Sequence, residues 1–174
     1  MERFDVRLAG LGGQGLLLAG LILGQAAVYD GKNVAQTVNY APLARGAPSR
    51  SEVVISNDLI YYPEVEDADF LLAMSQDAYD VFKDKLKPGG IIVVDTDNVK
   101  KTENFGVIKI PISKIAETTT GRAITGSIAG LGILSKITGR LSVGALEQAI
   151  KARAPRGTID LNIKALMAGF EVNA

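Results

Sequence analysis

Short apolar runs recur along the first two thirds of the chain, at Phe4–Ala9, Asn33–Asn39, Glu52–Ser56, Asp69–Ala73, Ile91–Asp95 and Gly106–Ile110. Several are continuous rather than alternating, such as Phe70-Leu71-Leu72 and Ile91-Ile92-Val93-Val94, which is the pattern of strands covered on both faces. Between and after them lie stretches of helical spacing, at Gln14–Tyr29, Gln76–Leu86, Ile124–Thr138, Val143–Ala152 and Thr158–Glu171. The first of these ends at Asp30-Gly31, a glycine stop, and Pro88-Gly89-Gly90 is a stop-and-turn signal ahead of the Ile91 strand. Beyond Ile110 the pattern is wholly helical. Alternation of strands and helices predicts an α/β fold with helices on the faces of a mostly parallel sheet and a helical C-terminal part.

The junction between the first strand and the first helix reads Gly10-Leu11-Gly12-Gly13-Gln14-Gly15. A strand, a tight glycine turn and a helix start make a cradle in which unpaired backbone N–H groups and the helix dipole hold an anion such as a phosphate. The spacing matches the dinucleotide fingerprint, with Gly10 for the turn, Gly12 for close backbone approach and Gly15 for strand–helix packing. The fold class expected is therefore a Rossmann-like three-layer sandwich. Dinucleotide binding also asks for an acid at the tip of the second strand, and Asn33–Asn39 has none. Asp30 is at about the right distance but belongs to the end of the first helix. The glycines serve equally well for close packing alone.

The chain has 174 residues, 47% hydrophobic and 22% charged, and reads as one globular domain over 1–174. Nineteen basic residues balance nineteen acidic ones, which argues against a nucleic-acid binder with a broadly positive surface. It has no cysteine and no histidine. This excludes a disulfide framework, a cysteine-ligated iron–sulfur cluster, a Cys/His zinc site and Cys or Ser–His catalysis built from this chain alone. Any electron centre must be carried by another chain. The run Leu16–Ala27 is apolar but short and broken by Gly20, Gly24 and Gln25, which suits a buried crossover helix better than a membrane span. Together with an N-terminus unlike a signal peptide, this predicts a cytoplasmic protein without membrane or nucleic-acid partners.

A second informative stretch, Tyr40 to Ser51, links the second and third strands and contains Pro42, Pro48 and Gly46. Prolines and glycine predict irregular structure up to Ser51, at the same sheet edge as the glycine turn. Arg45 and Arg50, with Ser49 and Ser51, would bring donors to that edge, and with the Gly12–Gly15 amides could form a phosphate or carboxylate site. A solvated charge or an intersubunit ion pair is the alternative for each arginine. The small-residue segment Ile124–Leu134 fits either a tight core contact or a subunit interface.

Taken in order, Gly10 to Gly15, the Ala44-Arg45-Gly46 core with Ser49-Arg50-Ser51-Glu52-Val53, then Ile55-Ser56, Ile60, Pro63, Ala68-Asp69, Gln76 and Leu86-Lys87-Pro88-Gly89-Gly90, and finally Leu131-Gly132, Asn162, Ala165 and Gly169 resemble the gamma subunit, or gamma domain, of the 2-oxoacid:ferredoxin oxidoreductases. Ala41, Leu43 and Ala47 replace Gly, Glu and Gly of the family pattern, and Ser127 stands where many members carry Asn. The resemblance implies a part in a multisubunit enzyme that oxidatively decarboxylates a 2-oxoacid, of the 2-oxoglutarate type, to an acyl-CoA, with electrons passing to ferredoxin. It further implies thiamine diphosphate, magnesium and iron–sulfur clusters on alpha, beta and ferredoxin-like delta subunits, and no catalytic residue or metal on this chain. Coenzyme A (CoA) is then expected at a subunit interface, its phosphates met by Gly12, Gly13, Gln14, Gly15, Arg45 and Gly46. Homodimerisation of the isolated chain is a further expectation. The readings left beside this one are a stand-alone Rossmann-type nucleotide-binding oxidoreductase and a purely structural assembly module.

Overall fold

A computed structural model describes residues 3–39, 48–103 and 106–173. Strands β1 (Phe4–Gly10), β2 (Asn33–Asn39), β3 (Ser49–Ser56), β4 (Ala68–Ala73), β5 (Leu86–Asp95) and β6 (Ile108–Ile110) form one sheet in the order β2-β3-β1-β4-β5-β6. The helices are α1 (Leu16–Tyr29), α2 (Gln76–Phe82), α3 (Ile112–Thr120), α4 (Gly126–Thr138), α5 (Val143–Arg153) and α6 (Ile159–Phe170), with a 3₁₀ turn at Ala123–Thr125 leading into α4. β3 is antiparallel to both β1 and β2, while β1-β4, β4-β5 and β5-β6 pair in parallel. All strands but β3 thus point one way, which is the mostly parallel sheet expected, in mixed form.

Alternation along each strand divides the apolar side chains between the two faces. Val6, Leu8, Val53, Ile55, Phe70 and Leu72 pack on one face against α1, α3, α4, α5 and α6. Ala9, Leu71, Ala73 and Val94 pack on the other against Ala78, Tyr79 and Phe82 of α2, and Val54 there meets Val65 of the 57–67 segment. Ile22, Leu23, Ile128 and Leu131 are fully enclosed, each worth about 1.5–3 kcal/mol of burial.

One charged side chain is built into the second face. Arg7 is 4% exposed and donates through Nε to Glu52 at 2.5 Å, through Nη1 to the Lys85 carbonyl at 3.2 Å, and through Nη2 to the carbonyls of Val65 at 2.6 Å and Glu66 at 3.1 Å. Its guanidinium lies 4.8 Å from the Phe82 ring centroid. Charge, hydrogen bonds and ring together offset the desolvation that would otherwise expel it.

The structure corrects several expected boundaries. β3 begins at Ser49, so regular structure includes residues the prolines had seemed to exclude; the ladder with β1 reaches Gly10↔Ser49. α2 stops at Phe82, and β5 starts at Leu86 rather than Ile91 because Ala68 pairs with Leu86 before the register shifts to Phe70↔Ile91. Lys87–Gly90 bulges out between these pairs, with Pro88 lacking a donor and Gly89 at φ 79°. Helix α3 lies before the first helix expected in the C-terminal part. It opens after Pro111, buries Ile112 and Ala116 and closes at Gly121, φ 74°. Gly126, Gly130 and Gly132 of α4 are buried inside the chain, and a Cβ on Gly132 or Gly169 would strike the facing backbone of α6 or α4. The small-residue segment is thus a core contact between α4 and α6.

Candidate anion site at the glycine turn

β1 delivers the chain to the carboxyl edge of the sheet, and α1 returns it along one face to β2, whereas α2 carries β4 to β5 across the other face. The two crossovers diverge between β1 and β4, the switch point where open α/β sheets form a crevice. Leu11–Gly15 lies there. Gly13 has φ 87° and Gly15 φ 75°, left-handed values that favour glycine. Gly12 has no heavy atom within 4 Å of where a Cβ would stand, so its backbone is open to a ligand's approach.

The roles expected of the two outer glycines differ in detail. Gly10 ends β1, and its missing Cβ makes room for the Gln14 side chain and for Met74. Gly15 is the N-cap of α1 and abuts the start of α4, where a Cβ would stand 2.9 Å from Ser127 Oγ and 3.3 Å from the Ile124 carbonyl. Gln14 braces the turn. Its Oε1 accepts from the Leu11 N–H at 2.7 Å and its Nε2 donates to the Met74 carbonyl at 2.9 Å, which fixes the loop and ties β1 to β4. The side chain is thereby committed to the turn, and the donors left for an anion are backbone amides at the start of α1, a helix with no side-chain cap and no acid in its first turn.

On the β3 side the turn walls a cleft of about 290 Å³, completed by Val38, Asn39, Ser49, Arg50, Leu17 and Ile124. Arg50, its only charged lining residue among those described, is held by a 3.3 Å ion pair with Glu52, which also takes Arg7. Two cations thus share one carboxylate, and the Arg50 Nε that faces it is buried. On the β4 side Gly13, Gln14 and Met74 wall a cleft of about 310 Å³ with Asp97, Asn98 and Ser113. Ser113 and Asn98 of that wall are held by the fully buried Asp95, which accepts from Ser113 Oγ at 2.5 Å and Asn98 Nδ2 at 2.6 Å.

Gly12, Gly13, Gln14 and Gly15 therefore come together as expected, with Arg50 and Ser49 beside them. Arg45 and Gly46 lie outside the described residues. β3 lies between β2 and β1 and places Ser49 beside the glycine turn, while the tip of β2 reaches the same cleft with Val38 and Asn39 and carries no acid. Asp30 is at the opposite end of α1, where it accepts from the N–H and hydroxyl of Ser142 at 2.8 and 2.9 Å and pins α1 to the start of α5. Among the described residues no three Asp or Glu side chains are grouped to hold a metal ion, and no helix is long and apolar enough to cross a membrane.

The family model described as pyruvate ferredoxin/flavodoxin oxidoreductase matches residues 5–172. The chain belongs to that family. The 2-oxoglutarate synthase subunit KorC of Methanothermobacter marburgensis is 44% identical over 98% of this chain and 96% of its own length, and its Methanocaldococcus jannaschii counterpart is 43% identical over 98% and 94%. Among solved structures, the gamma subunit of a keto/oxoacid ferredoxin oxidoreductase from Geobacter sulfurreducens superposes with a TM-score of 0.85 at 40% identity, covering 97% of this chain and 96% of that one. The chain covers only 31% of a 2-oxoglutarate:ferredoxin oxidoreductase chain from Magnetococcus marinus, which shares the fold at TM-score 0.82 and 23% identity and was solved with 2-oxoglutarate, coenzyme A and succinyl-CoA bound. Membership of the pyruvate ferredoxin/flavodoxin oxidoreductase family makes this chain a gamma-type subunit of a multisubunit 2-oxoacid:ferredoxin oxidoreductase and sets aside the stand-alone nucleotide-binding oxidoreductase.

Proposed function

We propose that this subunit serves a 2-oxoglutarate-type enzyme and helps to hold coenzyme A at an interface with the alpha and beta subunits. There the 2-oxoacid loses CO₂, its acyl group is transferred to the CoA sulfur, and the electron pair released is carried by iron–sulfur clusters toward ferredoxin. Thiamine diphosphate and magnesium would activate the 2-oxoacid on the partner subunits, and the iron–sulfur clusters would lie there too, since this chain has neither Cys nor His to ligate iron. Its own contribution is binding and assembly.

The observation that carries this reading is the cleft beside the turn, whose lining joins backbone amides at the start of α1 to Arg50, a guanidinium that shares Glu52 with Arg7. Amides at a helix N-terminus and a guanidinium are the standard recognition pair for phosphate. Leu11, Leu17 and Ile124 stand exposed around the same cleft, an apolar rim suited to closure by a partner subunit. Residues Gly12 to Gly15 and Arg45 with Gly46 are assigned to the CoA phosphates. The reading is tested in the assembled complex with Arg45→Ala. A rise of about tenfold in the Michaelis constant for CoA with unchanged dependence on the 2-oxoacid is expected, the size of one charge-assisted contact. Unchanged CoA kinetics with lower complex yield would instead make the loop an assembly element.

A further inference from the structure

β2 is the last strand on its side of the sheet, paired with β3 along one side and with no other described strand along the other. Exposed edges are ordinarily protected by a charged side chain, a proline or a bulge. Asn33-Val34-Ala35-Gln36-Thr37-Val38-Asn39 has neither charge nor proline, and its ladder with β3 runs from Asn33↔Ser56 to Asn39↔Arg50 without a register shift. The same residues read nearly alike in both directions. About Gln36, Asn33 answers Asn39 and Val34 answers Val38, and only Ala35 with Thr37 departs. An antiparallel partner of the same sequence, centred on Gln36, therefore sets valine against valine and asparagine against asparagine, with no like charges opposed.

The helix above this edge has the same character. α1 carries no charged residue from Leu16 to Tyr29. A Cβ on Gly20 would stand 2.6 Å from Gln36 Nε2, and one on Gly24 3.3 Å from Val34, so the middle of α1 lies over the middle of β2. Leu17, Leu21 and Val28 follow these glycines around the helix and are exposed, as is Val38 of β2. Strand and helix thus form one uncharged flank with an apolar stripe. A charged partner surface would lose its hydration there without finding ion pairs, whereas a second copy brings the same uncharged flank. The seven residues of β2 span about 24 Å when extended, and a sheet with one helix layer is about 20 Å deep. Each protomer therefore offers about 500 Å² in projection, and the two together reach the ~1,000 Å² that a specific interface needs.

We infer that two copies of this chain associate through β2, antiparallel about a two-fold axis at Gln36, joining their sheets into one and laying the two α1 stripes side by side with Leu21 next to the axis. The contact is isologous, so it closes at two copies and leaves no open edge on this side of either sheet. It does not depend on the coenzyme A reading of the glycine turn.

The test is sedimentation equilibrium of the full chain between about 1 and 100 μM, a range that brackets a Kd of micromolar class. A species of twice the 18.4 kDa chain mass is expected. Leu21→Lys sets two ammonium groups beside the axis and removes apolar contact from both copies. It is expected to raise the dimer Kd about tenfold or more, with circular dichroism checking that the variant folds. The chain holds no cysteine, so a single introduced thiol reports the register. Gln36→Cys faces its own copy and is expected to give a disulfide-linked dimer on mild oxidation, whereas Asn39→Cys, whose copy lies about 20 Å away along the strand, is not. A monomer throughout the range overturns the inference, and so does a dimer unaffected by Leu21→Lys or linked as readily by Asn39→Cys as by Gln36→Cys. A chain that is monomeric alone, and that Leu21→Lys keeps out of the assembled complex, would give the edge to another subunit instead.

Discussion

Gly10 stands directly across from Ser49 in the β1–β3 ladder. The glycine turn thus leaves β1 beside the first residue of β3, although Gly10 and Ser49 lie far apart in sequence. The pairing follows from β3 running antiparallel between β1 and β2, and it sets Ser49 and Arg50 beside the glycine turn.

Gly12 and Gly13 differ in a way that separates binding from folding. Gly13 has φ 87°, so Gly13→Ala is expected to lower unfolding free energy by about 1–3 kcal/mol through backbone strain. Gly12 has neither a left-handed φ nor a neighbour within 4 Å of an added Cβ. Gly12→Ala is expected to leave urea stability within about 0.5 kcal/mol of wild type while weakening CoA binding to the complex. Loss of stability in Gly12→Ala would show that the turn tolerates no methyl group on structural grounds.

Arg7 answers to four acceptors through one planar fork. Arg7→Leu leaves the Lys85, Val65 and Glu66 carbonyls without it and Glu52 with Arg50 alone, and is expected to destabilise by about 3 kcal/mol in urea unfolding. Arg7→Lys recovers only part of this, because an ammonium cannot reproduce the fork. A loss of under about 1 kcal/mol in Arg7→Leu would place the pair with surface ion pairs of little worth.

Lys87, on the β5 bulge, contacts Asp5 and Asp69 at 2.8 Å each. Burial works against its charge, but hydrogen bonds to the two carboxylates outweigh it and raise its pKa above the ordinary 10.5. A raised folded value means that the charged amine stabilises the fold in full below that ordinary value, and that the contribution fades as pH climbs through the folded one. Wild-type stability is therefore expected to fall more steeply above about pH 10.5 than that of Lys87→Met. Parallel curves for the two proteins, measured by urea unfolding across that range, would remove the assignment.

Strands with continuous apolar runs, such as Phe70-Leu71-Leu72, and helices closed by glycine, such as α1 at Gly31, were legible because each carries its own local signal. α3 was passed over because Thr118-Thr119-Thr120 reads as poor helix former, although Pro111, the Ile112, Ile115 and Ala116 stripe and Gly121 mark it. The β5 boundary was hidden because Pro88 and Gly89 signal a turn, and only pairing with Ala68 makes that turn a bulge. At the site, the glycine turn and its anion affinity were readable from spacing. The tie from Gln14 to the Met74 carbonyl and the packing of Gly15 against Ser127 were not, because both are contacts between segments far apart in sequence.

The cleft beside the turn is lined by backbone amides and by Asn39, Ser49 and Arg50, and the whole sequence contains no histidine. Amides and carboxamides do not ionise in the working range, and guanidinium groups keep their charge across it. The described lining of the cleft holds no imidazole, the side chain whose charge ordinarily changes near neutral pH. Should coenzyme A bind there as proposed, no histidine of this chain can give its binding a limb near neutral pH, and such a limb would have to be traced to the ligand's phosphates or to the partner subunits first.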